Sequence, residues 1–264
     1  MAKLLVTGGS GFLGKRIVQK YCALAPSHSE MDITRLEGCL KYFDIVKPEV
    51  VIHCAAISDT GYCAQHPEEG FLVNVQGTEN VAQACAQYGA KLIFASSDQV
   101  YSNGSVPHTE SEEVQPAGIY GEMKREAEKR VLNLLAEAVC LRFSWMYDVP
   151  QSERLSFLDQ LQSGSSMRLS DCEHRGITWV MEVVDQLPQI LQLPGGIYNA
   201  GSPNRFTTFE TGMRIQEKLC KKGCNASVIE RGDWHRNLAM DISKIQQYGV
   251  NFSDTLDRLL RWIE

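Results

Sequence analysis

The chain has 264 residues, 44% of them apolar and 22% charged, with a formal net charge of −6. That balance excludes a disordered or fibrous chain and allows one large α/β domain, or one domain plus a small lobe, around a sizeable core. No lysine/arginine run marks a nucleic-acid surface, and no apolar stretch is long enough to span a membrane.

Met1-Ala2-Lys3 runs at once into a strand pattern, so no signal peptide is expected. The cysteines, nine in all, include no paired CxxC knuckle; Cys220 and Cys224 are the only close pair. Reduced thiols, no metal site and a cytoplasmic location follow as expectations. Lys3–Thr7 is the first strand, and Gly11–Tyr21 the first helix, with Leu13, Ile17, Val18 and Tyr21 inward. The stretch from Tyr21 to Asp32 is short for a helix end and a full second strand. Thr34 to Glu37 has capping-box spacing and opens a helix to Val46, ended by Lys47-Pro48. Val50–Cys54 is a strand, Pro67–Tyr88 a long helix, Lys91–Ala95 a strand, Gly118–Leu135 a helix and Val139–Phe143 a strand. Continuous apolar strands alternating with helices predict a parallel sheet covered on both faces.

The alternation breaks after Trp145. Gln151–Ser166 is polar, with Phe157, Leu158 and Leu161 as a sparse apolar face. Val180–Leu193 reads as a helix, Gly196–Ala200 as a strand and Thr208–Cys220 as a helix. Arg231–Met240 reads as a polar loop and Ser253–Ile263 as an amphipathic helix. The expected fold class is α/β: a Rossmann-like doubly wound parallel sheet from 1–145 plus 180–202, with a smaller substrate lobe from 146–179 plus 203–264.

Two motifs carry the chemistry. Gly8-Gly9-Ser10-Gly11-Phe12-Leu13-Gly14 follows the first strand and opens the first helix. Glycine at 8 permits the tight turn, glycine at 11 lets a pyrophosphate approach the backbone, and glycine at 14 lets the helix pack close to the sheet. The helix N-terminus then offers N–H groups and partial positive charge to phosphates. The second motif is Tyr120-Gly121-Glu122-Met123-Lys124, which sets a phenol and an ammonium on one helix face. A nearby cation stabilises the phenolate, so Tyr120 can pass a proton to a carbonyl oxygen that Ser97 holds at the end of its strand.

The G-x-x-G-x-x-G spacing resembles the extended branch of the short-chain dehydrogenase/reductase superfamily. Ile52 to Ala56, Asn74-Val75-Gln76-Gly77-Thr78, Ser96 to Tyr101, Tyr120 to Lys124 and Leu141 to Tyr147 fall in the family's order. Within that branch the likeness is to dTDP-4-dehydrorhamnose reductases and to regulatory β subunits of methionine adenosyltransferase, and Asp32-Ile33-Thr34, Arg236-Asn237 and Asp241 to Lys244 extend it. The resemblance implies a catalytic set of Ser97, Tyr120 and Lys124. It places a cofactor against Gly8, Ser10, Gly11, Phe12, Leu13 and Gly14, against Asp32 and Ile33, and against Cys54, Ala55 and Ala56. Asn74, Ser96, Tyr120, Lys124 and Phe143 complete that set. Substrate would meet Ser97, Asp98, Gln99 and Trp145. Gln99 and Tyr101 replace the family's tyrosine and phenylalanine at positions expected to face substrate.

The cofactor expected is NADP(H) rather than NAD(H), since no acid ends the second strand and Lys15 or Arg16 could meet a 2′-phosphate. Arg168, Arg175, Arg205, Arg231 and Arg236 of the lobe would suit an anionic substrate, and Asp171 and Gly176-Ile177-Thr178 match a family stretch beside the site. The expected partner is a small carbonyl compound, a nucleotide-sugar by resemblance. A homodimer through helices 68–88 and 118–135 is also expected, with Ala82, Cys85 and Ala86 as small packing residues. The reading is reduction of a keto group on a sugar. A non-catalytic NAD(P)-binding regulatory subunit and a sugar epimerase remain the alternatives. A dehydratase is disfavoured, because Ser97-Asp98-Gln99 supplies one carboxylate where two are needed.

Overall fold

A computed structural model describes residues 3–102, 104, 107–148 and 157–263. The chain forms two compact units. One comprises Met1–Val100, Glu113–Arg142 and Leu187–Tyr198; the other Tyr101–Glu112, Phe143–Gln186 and Asn199–Glu264. Of the expected core, 1–145 plus 180–202, the segments 101–112, 143–145, 180–186 and 199–202 group with the second unit. Among the described residues no helix is long and apolar enough to cross a membrane.

The first unit is built on β1 (Leu4–Thr7), β2 (Val50–His53), β3 (Lys91–Ser97), β4 (Val139–Phe143) and β9 (Gly196–Ala200), neighbours in that order. β1 pairs with β2 and β2 with β3 in parallel. Apolar strands need helices on their faces. α1 (Phe12–Tyr21) turns Leu13 and Ile17 inward. α2 (Leu36–Val46) packs on α5 (Thr78–Tyr88), which packs on α6 (Ile119–Leu134). Leu5, Phe43, Val51, Val81, Phe94 and Val131 share the resulting core.

Two expectations need correction here, the capping box and the long helix, while the short second strand is as expected. No capping box opens α2: the Thr34 hydroxyl and N–H both donate to the Asp32 carboxylate, at 2.7 and 2.9 Å, and the cap position is Arg35 with no side-chain bond. The long helix from Pro67 is α4 (Pro67–Phe71), a π turn (Leu72–Gly77) and then α5. α3 (Thr60–Gln65), capped by Asp59, precedes it unforeseen. The second strand is reduced to one bridge, in which Leu24 accepts from the Val6 N–H at 2.8 Å and donates to the Leu4 carbonyl at 2.9 Å. Pro26, two residues on, has no N–H to extend the ladder.

The second unit pairs short strands in parallel. β5 (Trp145–Tyr147) lies beside β8 (Ile177–Trp179), β6 (Ser166–Ser170) beside β10 (Val228–Gly232), and β7 (Glu173–Arg175) beside β11 (Arg236–Leu238). The segment Arg231–Met240 thus holds strand structure where a loop was expected. Val180–Leu193 breaks into α8 (Val180–Asp185) and α9 (Leu187–Ile190), since Pro188 cannot continue a helical ladder. α7 (Phe157–Gln162) buries Phe157, Leu158 and Leu161 as its sparse apolar pattern predicts. The rest of that expected segment, 151–156, lies outside the described residues. α10 (Thr208–Lys221) carries a true capping box, Thr207 with Glu210; the short α11 (Ser243–Gln246) follows, and Asp254 caps α12 (Thr255–Arg261).

Candidate active site

The register Thr7–His53 and His53–Phe94 brings three parallel strands to a common edge. The glycine turn, the Cys54–Ala56 turn and the Ser96–Gln99 segment all leave from that edge. Gly8 adopts φ +67, and a Cβ there would lie 2.6 Å from the Ala55 nitrogen. A Cβ on Gly14 would lie 2.2 Å from the Gly8 carbonyl oxygen, so this helix start cannot approach the turn with any side chain. Gly11 differs: within 4 Å a Cβ there would meet the Gly8 carbonyl oxygen alone, at 3.1 Å, a close approach that a shift of a few tenths of an ångström relieves. No side chain caps α1 and no acid sits in its first turn. This is a cradle suited to an anion, and the residues fit a dinucleotide's phosphates. The Arg16 guanidinium donates to the Phe12 carbonyl at 2.6 Å and stacks on the Phe12 ring at 4.4 Å, which anchors a cation beside the cradle.

Ser97, Tyr120 and Lys124 come together as the spacing predicts. β3 ends in Ser97, and the α6 helix brings Tyr120 and Lys124 over it, with Gly121 allowing the approach: a Cβ there would stand 2.0 Å from the Gln99 carbonyl oxygen. The Ser97 hydroxyl favours the Tyr120 phenolate, but burial and then the Asp98 charge outweigh it and push the phenol well above its ordinary value. Lys124, 3% exposed, donates to the Ala95 carbonyl at 2.8 Å. Its ammonium stands 4.8 Å from the Phe94 ring and 5.8 Å from the Tyr120 ring. Burial lowers it to about 8, so it is still a cation at neutral pH. The Ser97 hydroxyl also meets Asp98 at 3.3 Å and accepts from the Gln99 N–H at 3.2 Å, while the Gln99 amide reaches Asp98 at 3.4 Å.

The other expected site residues divide by what their side chains already do. Asp32 is spoken for by Thr34, which holds its carboxyl below the usual range. The Ile33 side chain lies in the core against Gly77, and its carbonyl accepts from Asn80 at 2.8 Å. Asn74 is wholly buried in the π turn and closes on Ile57, accepting from its N–H at 2.8 Å and donating to its carbonyl at 3.0 Å. It braces the Cys54–Ala56 turn from behind. Burial pushes the Cys54 thiol up to about 12. Ser96 faces away from Ser97, as alternation requires, and donates to Glu128 at 2.5 Å. Phe143 ends β4, 5% exposed.

In the second unit Trp145 meets the Phe157 ring edge at 5.4 Å and Arg175 at 5.0 Å. Tyr101, expected to face substrate, is instead buried, stacked on His108 at 4.5 Å and bonded to Asn199 at 2.6 Å. The lobe arginines each have an acid: Arg168 pairs with Asp233, Arg175 and Arg236 with Glu173, Arg205 with Asp257, and Arg231 with Asp171. Thr178 of the Gly176–Thr178 stretch bonds Ser144 at 2.6 Å and the Ser202 N–H at 2.7 Å.

Sequence reasoning missed two buried groups. Arg142 and Glu128 form an ion pair at 2.8 Å, both almost fully buried. A charge inside the apolar run Val139–Phe143, and an acid one turn after Lys124, were the available signals. His53 sits in a chain of donors with one consistent polarity. The Ala55 N–H reaches Thr7 Oγ1 at 3.4 Å, and Thr7 donates to His53 Nδ1 at 2.6 Å. His53 Nε2 then donates to Thr78 Oγ1 at 3.0 Å, and Thr78 to the Asn74 carbonyl at 2.8 Å. Thr78 spends its proton on Asn74, so the histidine must carry its own on Nε2. Burial, then the Lys124 charge, hold His53 down to about 3, and it is neutral.

The sequence pattern of the RmlD substrate binding domain matches residues 2–236. The methionine adenosyltransferase 2 subunit beta of Xenopus laevis is 30% identical over 94% of this chain and 83% of its own length. The dTDP-4-dehydrorhamnose reductase of Aggregatibacter actinomycetemcomitans is 30% identical over 56% of this chain and 52% of its own. A crystal structure of dTDP-4-dehydrorhamnose reductase from Bacillus anthracis in complex with NADP superposes with a TM-score of 0.86 at 19% identity, covering 99% of this chain and 97% of that one.

Proposed function

The chain belongs to the RmlD substrate binding domain family, and from that premise we propose that it reduces a keto group on a sugar, with Tyr120 as proton donor. The observation that carries this reading is the joined set of Ser97, Tyr120 and Lys124 on the strand edge that also bears the glycine cradle. A bound NAD(P)H would supply hydride. The cradle residues Gly8, Ser10, Gly11, Phe12, Leu13 and Gly14 would hold its phosphates, and Lys124 its nicotinamide-side ribose. A 2′-phosphate, if present, would find Arg16 nearest the cradle, which supports NADP(H).

The chain supplies the proton. Tyr120 Oη keeps its proton at neutral pH because burial and the Asp98 charge disfavour the phenolate. It is therefore charged with a proton before substrate arrives, and is an acid rather than a base at rest. Ser97 Oγ, within reach of the phenol, would hold the substrate oxygen that receives the proton. As the proton leaves Oη, the Lys124 cation and the Ser97 hydroxyl stabilise the developing negative charge. Asp98 and Gln99 flank that position, so they would select the ring substituents. The substrate class that supports best is a nucleotide-linked keto-sugar, as in the reductase relatives.

A second reading is supported by the β-subunit relative, which matches over more of this chain than the reductase named above, and by the reduction of the second strand to one bridge. On it, the chain binds NAD(P) as a regulatory subunit without turnover. Titration with NADPH and NADH, followed by cofactor fluorescence, and then addition of a 4-keto-dTDP-sugar separates the two. Oxidation on adding sugar, abolished in Tyr120→Phe with cofactor binding intact, is the expected result. Binding without oxidation favours the regulatory reading, and unchanged turnover in Tyr120→Phe refutes the proton-donor role.

A further inference from the structure

The cysteines include one pair that the proposed chemistry does not use. Cys39, Cys63, Cys85 and Cys140 are buried. Burial pushes the Cys39 and Cys54 thiols up to about 12 and so makes them weak nucleophiles. Cys85 lies with Ala82 in the core of the first unit, so neither serves as the small surface residue expected at a dimer. Cys22 is exposed at the end of α1, in the first unit. Cys220 and Cys224 are both exposed, close in sequence, where α10 ends in the second unit.

The backbone between them is a closed turn. Lys221 is the last helical residue, Lys222 holds φ −88 and ψ −1, and Gly223 holds φ +70. The Cys220 carbonyl accepts from the Gly223 N–H at 3.0 Å. That is a type I turn followed by a left-handed glycine, the backbone of a common three-residue hairpin loop. Such a loop sets its flanking residues side by side, about 4.5–5.5 Å apart between Cα atoms, and a disulfide takes about 4.4–6.8 Å. The Cys224 N–H closes on the Leu219 carbonyl at 3.0 Å, which folds Cys224 back onto the last turn of α10. The two cysteines are therefore held within bridging range by a turn already formed in the reduced chain.

The charges of this segment favour an anionic reagent. Between 214 and 224 the chain carries Arg214, Lys218, Lys221 and Lys222 against Glu217 alone, and Glu217 accepts from Lys221 at 2.6 Å. We propose that Cys220 and Cys224 are a thiol–disulfide exchange site that takes a negatively charged low-molecular-weight disulfide of the glutathione type. One cysteine thiolate attacks a sulfur of that disulfide and releases one small thiolate, leaving a mixed disulfide on the protein. The second cysteine displaces the other small thiolate and closes the Cys220–Cys224 bond. The protein loses two electrons and two protons in all, and these leave as two small thiols. The turn favours closure over a second mixed disulfide, because the resolving thiol already stands beside the bond it attacks. The exchange uses neither the glycine cradle nor Tyr120, so it stands apart from the proposed reduction.

Equilibration of the full chain in glutathione buffers of graded ratio, followed by acid quench, alkylation and peptide mass spectrometry, tests this with no cofactor and no turnover assay. Cleavage after Glu217 and Glu230 leaves both cysteines in one peptide, Lys218 to Glu230. As the buffer becomes oxidising, that peptide in the wild type should lose two hydrogens and take up no alkyl group. Cys220→Ser and Cys224→Ser should each carry one glutathione instead. A Cβ at Gly223 would meet nothing within 4 Å, so Gly223→Ala strains the turn at φ +70 and disturbs no neighbour. It should lower the closure constant about tenfold. A wild-type peptide carrying glutathione on both cysteines, one that stays fully alkylated at oxidising ratios, or a Gly223→Ala chain that closes as readily as the wild type would each overturn the proposal.

Discussion

Lys124→Met should cost the protein its turnover and none of its stability at pH 7. The ammonium, 10.5 when unperturbed, is lowered by burial to about 8. At about 1.4 kcal/mol per pKa unit, the folded state at pH 7 carries roughly 3 kcal/mol of penalty for this buried charge. Methionine fills nearly the same volume without it. Against that gain stands the Ala95 carbonyl, which loses the donor now at 2.8 Å; an orphaned buried acceptor costs about 1–3 kcal/mol. The net change at pH 7 is then between about zero and 2 kcal/mol in favour of the variant. The sign with pH is fixed: between 8 and 10.5 the unfolded chain keeps the lysine proton and the folded chain has lost it, so wild-type stability rises with pH there. From pH 7 to pH 10 the variant's relative advantage should shrink by about 2–3 kcal/mol. Urea unfolding of both proteins at pH 7, 8, 9 and 10, followed by tryptophan fluorescence, gives this difference directly. A variant more than about 2 kcal/mol less stable at pH 7, with a gap that does not move with pH, would refute the buried-charge reasoning.

Gly11→Ala and Gly14→Ala should separate cradle from scaffold: the first leaves the melting temperature within a few degrees but abolishes cofactor binding, while the second drives a methyl into the Gly8 carbonyl and loses both. Calorimetry with NADPH alongside thermal melts reads the two, and a Gly11→Ala protein that binds normally would remove the glycine turn from the site. Glu128→Leu takes the carboxylate partner from buried Arg142 and should cost about 3–5 kcal/mol, whereas Glu128→Leu with Arg142→Met should cost less than the single change; chemical denaturation distinguishes them. His53, neutral in the fold and held down to about 3, makes the unfolded chain the better proton binder below pH 6.5. Stability should therefore fall by about 1.4 kcal/mol per pH unit from this group on acidification, and His53→Asn should show a shallower acid limb; equal slopes would count against a neutral His53.

The apolar runs Leu4–Thr7, Val50–His53 and Lys91–Ser97 were legible because strands buried on both faces have no polar residue to interrupt them, and the glycine turn because three positions tolerate no Cβ or must stay open. Tyr120 and Lys124 were legible because a four-residue helical spacing is local geometry. What depends on groups distant in sequence was not. Thr34 gave its hydroxyl to Asp32 instead of a helix cap. The end of β10 and all of β11 read as loop because their ladders are completed by β6 and β7, roughly sixty residues earlier in the chain. Tyr101 left the substrate for His108 and Asn199. The roles of Asn74 and His53 follow from a hydrogen-bond chain joining β1, β2 and the π turn, which no local pattern encodes. Periodicity and steric exclusion act between near neighbours, so the sequence alone determined the sheet, the cradle and the Tyr120–Lys124 pair. Burial and the polarity of each hydrogen bond are set by whatever side chains the fold brings alongside, so the tertiary structure alone decided which groups hold protons, which are spoken for, and which remain open to a ligand.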